Sequence, residues 1–452
     1  MNNQSIKIST PIADFVKSYA SKNTSRLHMP AHKGNSFLGC ESLDITEISG
    51  ADVLYSANGI IDESENNATL LFKTQHTFYS TEGSTLAIKA MLALIKKHSP
   101  AETKILAARN VHKAFVYACG LLDIDVEWLY PQKSEHLCDC EITPDILRAR
   151  LQSEKDLPSA LYVTSPTYLG KILDIASLAK VCHEFGIYML VDNAHGAYLA
   201  FENPSAHPIA LGADICCDSA HKTLPTLTGG AYLHISKSFK PYNKEEVRDA
   251  LSLFASTSPS YLILQSLDIT NAYLANGYAT KLSALKKKIA EFKVELANIG
   301  FECESSEPLK IVIHRQKCAY SGDYLAEQLR AHNVEAEYSD NDTLTLMFST
   351  ESKPIDFERV KSALESLPQK SSAAYDEILP LCAPKRIISI REALFSPSEK
   401  IYTKDALWRI CASPSVSCPP AIPPIISGEQ IDADTIKVLL YYGIEKIDVI
   451  KE

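Results

Sequence analysis

Three polar stretches stand where short apolar runs end: Ser165-Pro-Thr-Tyr-Leu-Gly170, Asp192-Asn-Ala-His-Gly196 and Asp218-Ser-Ala-His-Lys-Thr223. In parallel α/β sheets ligands bind at the carboxyl ends of strands, so all three stretches are candidates for one site. Lys222 follows a buried-strand pattern; desolvation there would lower its pKa and make it a nucleophile able to form a Schiff base. A surface lysine at a strand end is the plain alternative. Asp192 ends the run Ile187 to Val191. A carboxylate in that place needs a cationic partner or strong hydrogen bonds, and a protonated ring nitrogen would serve; a turn-capping aspartate is the alternative.

Gly83-Ser84-Thr85 opens the helical run LAIKAMLALIKKH, where free N–H groups, two hydroxyls and the helix dipole make an anion site suited to phosphate. Ser and Thr are also ordinary N-caps. His112 opens a helix and could stack on a flat ring. His195 lies three residues after Asp192, and His221 abuts Lys222. His28 and His32 are four apart with Pro30 between them, which argues against a helical metal pair. No metal site is expected. Thr257 sits in a hydroxyl-rich loop, Ala255 to Tyr261. Asp44, Glu47 and Asp52 form an acidic group that suits a cationic substrate or a solvated loop.

The elements that must position these residues follow from periodicity. Short strands are predicted at 104–107, 126–130, 160–164, 187–191 and 215–217, with helices over 111–120 and 175–185 that stop at Gly120 and Gly186. Thr143-Pro144 reads as an N-cap and first turn. Strands alternating with helices imply a mostly parallel sheet covered on both faces. A long helix at 279–299 leads to a small α/β layer: strands 310–315 and 343–348, helices 324–331 and 355–367. The expected organisation is an N-terminal arm (1–55), a large domain (56–275), a small α/β domain (276–369) with a linker near 370–374, and a Pro-rich C-terminal region (370–452).

Composition narrows the class. Of 452 residues, 46% are hydrophobic and 22% charged, as in a soluble globular chain. A formal charge of −10 argues against a nucleic-acid binder. No membrane-spanning apolar run and no secretory h-region are evident. The 12 cysteines form no C-x-x-C, so free thiols in a reducing cytoplasm are expected.

The ordered set of motifs resembles the pyridoxal-phosphate-dependent ornithine/lysine/arginine decarboxylase family in its shorter bacterial form. It comprises His28-Met-Pro-Ala-His-Lys-Gly34, Asp44-Ile-Thr-Glu-Ile-Ser-Gly50, Gly83-Ser-Thr85, Arg109-Asn-Val-His-Lys113 and Tyr162-Val-Thr-Ser-Pro-Thr-Tyr168. It continues with Asp192-Asn-Ala-His-Gly196, Ser219-Ala-His-Lys-Thr-Leu-Pro225, Ser256-Thr-Ser-Pro-Ser-Tyr261, Pro419-Pro-Ala-Ile-Pro423 and Gly428-Glu429.

The resemblance implies an α/β fold of the aspartate-aminotransferase type (fold type I): a seven-stranded, mostly parallel large domain and a smaller C-terminal α/β domain. It implies Lys222 as the Schiff-base lysine, Asp192 paired with the pyridine nitrogen, and His112 stacked on the ring. Ser84, Thr85, Ser219 and His221 would hold the phosphate, and His195 would sit beside the cofactor and the reacting substrate. Thr257 would reach the phosphate of a neighbouring subunit, so the active site would be shared in a homodimer. The implied reaction is decarboxylation of arginine, lysine or ornithine in polyamine metabolism, with Lys222 or His195 returning the proton. The alternatives are another fold-type-I reaction (transamination or aldol-type cleavage, for which Arg386 or Arg391 would clamp a carboxylate) and a non-catalytic regulatory relative.

This chain departs from the family pattern at Ala31 and Ala421 (usually Gly), Asn193 (usually Glu), Cys418 (usually Tyr), Ser427 (usually Pro) and the proline-free Ser56-Ala-Asn-Gly59. The two Gly-to-Ala changes are expected to shift pocket backbone, because alanine tolerates positive φ poorly.

Overall fold

The computed structural model describes residues 8–99, 103–131, 136–240, 242–304, 307–368, 383–414 and 421–452. The expected linker at 370–374 and Cys418 lie outside them. The chain forms two compact units. The first comprises 1–103, 155–162 and 175–281; the second comprises 104–154, 163–174 and 282–452.

In chain order the first part runs α1 (Pro11–Ser21), α2 (Ile60–Phe72), β1 (His76–Ser80), α3 (Gly83–His98), β2 (Lys104–Ala108), α4 (Lys113–Leu122), β3 (Asp125–Leu129) and α5 (Pro144–Ser153). It continues with β4 (Ala160–Thr164), α6 (Ile175–Glu184), β5 (Tyr188–Asp192), β6 (Ile215–Asp218), α7 (Ala220–Thr223), β7 (Ala231–Ile235), α8 (Lys244–Ser252), α9 (Tyr261–Ala275) and α10 (Tyr278–Asn298). The seven strands lie in one sheet of order β1-β7-β6-β5-β4-β2-β3. Pairs β2–β3 and β5–β6 are parallel, whereas β7 runs antiparallel to both β1 and β6. This is the mixed, mostly parallel α/β sheet expected. Every residue of β1, β6 and β7 is buried, so these strands show no alternation of buried and exposed positions.

In the second unit, β8 (Cys303–Glu304), β9 (Lys310–His314), β10 (Tyr338–Ser339) and β11 (Thr343–Met347) form a sheet of order β10-β11-β9-β8. Helices α11 (Arg315–Cys318), α12 (Gly322–Ala331) and α13 (Pro354–Glu365) accompany it. The C-terminal region, where Pro-rich loops are expected, also holds a third sheet. After α14 (Ile390–Phe395) come β12 (Ser398–Tyr402), β13 (Cys411–Ser413), α15 (Ala433–Tyr441) and β14 (Lys446–Ile450), with sheet order β12-β14-β13. Its core is Ala406, Cys411, Ile425, Ile431, Leu439, Ile447 and Val449.

Two helix ends test the expected stop signals. α6 stops before Gly186, which has φ +71°. α4 runs through Gly120 and ends at Asp123, whose left-handed conformation caps it. Gly120 is a packing residue instead: a Cβ there would stand 2.4 Å from the Leu394 side chain. Of the two departures from glycine, Ala421 does adopt a left-handed backbone (φ +59°), and Ala31 is absent from the residues of positive φ.

Candidate active site

The first unit brings together most of the residues singled out by type and spacing. β5 and β6 are parallel neighbours, with Asp192 opposite Cys217, so the turn after each strand opens at the same end of the sheet. Asp192 is buried, at 2% exposure. Its carboxylate accepts the Ala194 N–H at 3.1 Å and the Tyr162 hydroxyl at 3.3 Å, and the Cys217 thiol approaches at 3.6 Å. Burial raises its pKa above the ordinary carboxylate value, against the opposing charge of Lys222 and these donors. The demand for a cation or strong donors is thus met only in part.

Lys222 lies in the one-turn helix α7 that follows β6. Its Nζ is 3.1 Å from Nε2 of His195, so the amine and the imidazole can pass a proton directly. Ser219, just before α7, donates its hydroxyl to Ser84 at 2.8 Å. That contact joins the turn after β6 to the first turn of α3. The chain enters α3 through Gly83, at φ +69°, whose N–H donates to the Gly229 carbonyl at 2.8 Å. Gly229 must be glycine, since a Cβ would lie 2.9 Å from the Thr81 carbonyl oxygen and its φ is +98°. His221 is fixed by Gly230, whose carbonyl accepts its Nδ1–H at 3.0 Å and its backbone N–H at 3.2 Å. Thr85 and Thr257 are exposed. The Thr257 loop is anchored next to α3 by Ser256, whose N–H donates to Glu82 at 2.8 Å.

His112 belongs to the second unit. It is the N-cap of α4, its Nδ1 accepting the Ala114 N–H at 3.1 Å. Arg109 is fully buried in the same unit, bound to the carbonyls of Pro423 and Pro424 and to Glu429 at 3.2 Å. Arg386 bonds Asp125 and the Val126 carbonyl, and Arg391 the carbonyls of Gly120 and Leu121. Both therefore serve as structural ties. The acidic group is also largely engaged. Asp52 accepts the N–H groups of Gly59 (2.8 Å) and Ile61 (3.0 Å) at the start of α2, and Asp44 pairs with His32 at 3.2 Å.

Several residues behind the site were not read as functional from the sequence. Asp218 is fully buried, yet His207 and His234 hold its carboxyl well below the ordinary range despite the cost of burial. Asn193 donates to it at 2.7 Å. The available signal was the parallel between two strand-ending aspartates, Asp192 and Asp218.

The family model described as "Orn/Lys/Arg decarboxylase, major domain" matches residues 10–316, more than half of the chain. The chain belongs to this family. It is 29% identical over 461 residues to the uncharacterized protein YaaO of Bacillus subtilis (96% of this chain, 94% of that one). It is 28% identical over 468 residues to an arginine decarboxylase of the same organism (95% and 93%). Among solved structures, the Francisella novicida lysine decarboxylase LdcF superposes with a TM-score of 0.80 at 18% identity, covering 99% of this chain and 82% of that one. A serine palmitoyltransferase solved with pyridoxal phosphate gives 0.56 at 13% identity, covering 70% and 79%. These likenesses establish a fold-type-I architecture. The protein is a pyridoxal-phosphate-dependent amino-acid decarboxylase. No helix among the described residues is long and apolar enough to cross a membrane.

Proposed function

We propose that the protein decarboxylates a basic amino acid, arginine first, with lysine and ornithine as the competing substrates, and so supplies an amine for polyamine metabolism. The observation that carries the reading is the pairing of Lys222 Nζ with His195 Nε2 at 3.1 Å on the turns that also bear buried Asp192 and the Ser84–Ser219 contact. This donor set suits pyridoxal phosphate: a primary amine for its aldehyde, a carboxylate for its ring nitrogen, and hydroxyls at a helix N-terminus for its phosphate. Ser84, Thr85, Ser219 and His221 would hold the phosphate, and Asp192 the ring nitrogen. Arginine is favoured because the B. subtilis relative matched nearly end to end carries that name.

When bound, the cofactor supplies an electron sink for the bond to the departing carboxylate. Lys222 would hold the cofactor through its primary amine. Asp192, undersupplied with donors, would favour positive charge at the ring nitrogen. Lys222 and His195 share a proton across their contact, and either can return it to the substrate Cα. Thr257, exposed on its loop, would complete the site of a second copy, making a homodimer the working form. The ten cysteines the structure describes as free fit a reducing cytoplasm. An aminotransferase would need an arginine for the substrate carboxylate. Arg386 and Arg391 are committed to structural bonds, and no observation favours that reading or a non-catalytic one.

The test is to incubate the purified protein with pyridoxal phosphate and, separately, arginine, lysine and ornithine, and to identify amines by mass spectrometry. One dominant amine, that of arginine foremost, absent in Lys222→Ala, is the expected result. No amine from any of the three, with cofactor bound, would overturn the proposal.

A further inference from the structure

Asn193 is the residue after Asp192, and Asp218 the residue before Ser219. Their side chains meet: the Asn193 amide donates to Asp218 Oδ1 at 2.7 Å. The other oxygen, Oδ2, accepts His207 Nε2 and His234 Nε2, each at 3.1 Å. His207 Nδ1 accepts the Ile209 N–H at 3.3 Å, which leaves Nε2 to donate to Asp218. The exposures of Asn193, His207, Asp218 and His234 are 0%, 1%, 0% and 0%. One carboxylate therefore ties together the turn after β5, the loop at His207, the end of β6 and β7.

The fit is specific to an amide facing a carboxylate. A glutamate at 193 would set a second carboxylate against Asp218 in a site closed to water. Space is closed as well: a Cβ at Gly196 would lie 2.0 Å from Asn193 Oδ1, an oxygen buried without a hydrogen-bond partner. What hangs on the contact is the chemistry on either side. Asp192 and His195 ride on the turn that Asn193 anchors, while Ser219 and Lys222 follow directly from Asp218.

We propose that Asn193 and Asp218 form a positioning pair, whose hydrogen bond fixes the turn bearing Asp192 and His195 against the turn bearing Ser219 and Lys222. The inference rests on the reading of Lys222 as the cofactor-binding lysine. His207, Cys216 and Asp218 also bring ligand atoms within 4.8 Å of one another. Three N–H donors already occupy the Asp218 oxygens, so a hydrogen-bonded anchor accounts for the cluster without a metal.

The pair can be exchanged. Asn193→Asp alone opposes two carboxylates. Asp218→Asn alone is milder, because Asn193 can turn its unpaired oxygen toward the new amide. Asn193→Asp with Asp218→Asn restores the bond in the reverse direction, and the oxygen of the new side-chain amide still accepts from both imidazoles. The readouts are pyridoxal phosphate affinity from visible absorbance, the pH midpoint of that absorbance, and the melting temperature without cofactor. The expected result is that Asn193→Asp weakens cofactor binding by about tenfold or more and moves the pH midpoint, while the double exchange returns both to within about threefold of wild type. Should Asn193→Asp fail to fold, Asn193→Ala must still move the pH midpoint.

A folded Asn193→Asp protein with wild-type affinity and midpoint overturns the pair. So does a double exchange no better than the single, or stoichiometric metal in the purified protein. A wild type that takes up no cofactor overturns this inference and the reading beneath it together. A wild type that binds, with no coupling across the variants, overturns this inference alone.

Discussion

Asp192 and Asp218 end neighbouring strands, are both buried, and titrate in opposite directions. Asp192 has one backbone N–H, a long hydroxyl contact and a weak thiol donor, and burial raises it. Asp218 accepts from an amide and from two imidazoles, and the imidazoles overcome burial and hold it low. Burial raises both carboxylates; at Asp192 it prevails over the Lys222 charge and the few donors, whereas at Asp218 the two imidazoles prevail over it. A satisfied carboxylate is an anchor. An unsatisfied one is ready to receive a cation, and pairs of acids pushed apart in this way commonly divide structural from chemical work.

The contrast is sharpened first by activity. Asp192→Asn should cut decarboxylation by about a thousandfold, ~4 kcal/mol of transition-state stabilisation, while unfolding free energy changes by under about 1 kcal/mol. Activity within about tenfold of wild type would break the comparison. Asp218→Ala should act mainly on stability: about 3 kcal/mol lost in urea unfolding, because His207, His234 and Asn193 lose a buried acceptor. A loss below about 1 kcal/mol would remove the distinction.

A third buried acid in the same unit gives a pH test. Asp268 accepts the Ala13 N–H at 2.9 Å and the Ser64 hydroxyl at 2.6 Å, and burial pushes its pKa up to about 6. The folded state then holds its proton at a pH where the unfolded state, near 3.8, has released it. Stability from this group therefore falls as pH rises from about 4 to about 6, and the cost persists at pH 7. Asp268→Asn should remove that slope, read by thermal unfolding at each pH. An unchanged slope would contradict it. The smallest expected effect is at Ala421, whose φ of +59° strains an L-residue. Ala421→Gly should stabilise by about 0.5–1 kcal/mol, the relief exceeding the entropy cost of glycine; destabilisation would show that the strain is already relieved.

Much of this was legible in the residues. Strands β2 to β6 announce themselves as short apolar runs between amphipathic helices, and Lys222 and Asp192 stand out because each follows such a run. Helix α1 lies within the expected N-terminal arm without having been singled out, although Pro11 at its first turn and buried Ile12, Ala13 and Val16 carry its signal. β12 alternates exposed and half-buried residues, so no apolar run marks it. Gly120 shows a different limit, because a stop signal and a packing requirement select the same residue. His207 and His234 were unreadable as partners of Asp218, since they reach it from different segments and only the fold joins them. The acidic group at 44–52 suggested attraction for a cationic substrate, but Asp52 is taken up by the backbone at the start of α2.

The most direct measurement of the site is to add pyridoxal phosphate, reduce with borohydride to lock any imine onto the protein, digest, and map the pyridoxyl group by mass spectrometry. Lys222 should be the principal modified lysine, in wild type and in Asp192→Asn alike, because the amine that captures the aldehyde is separate from the carboxylate that tunes the ring. Stoichiometric modification at a different lysine, or none with cofactor bound, would contradict it.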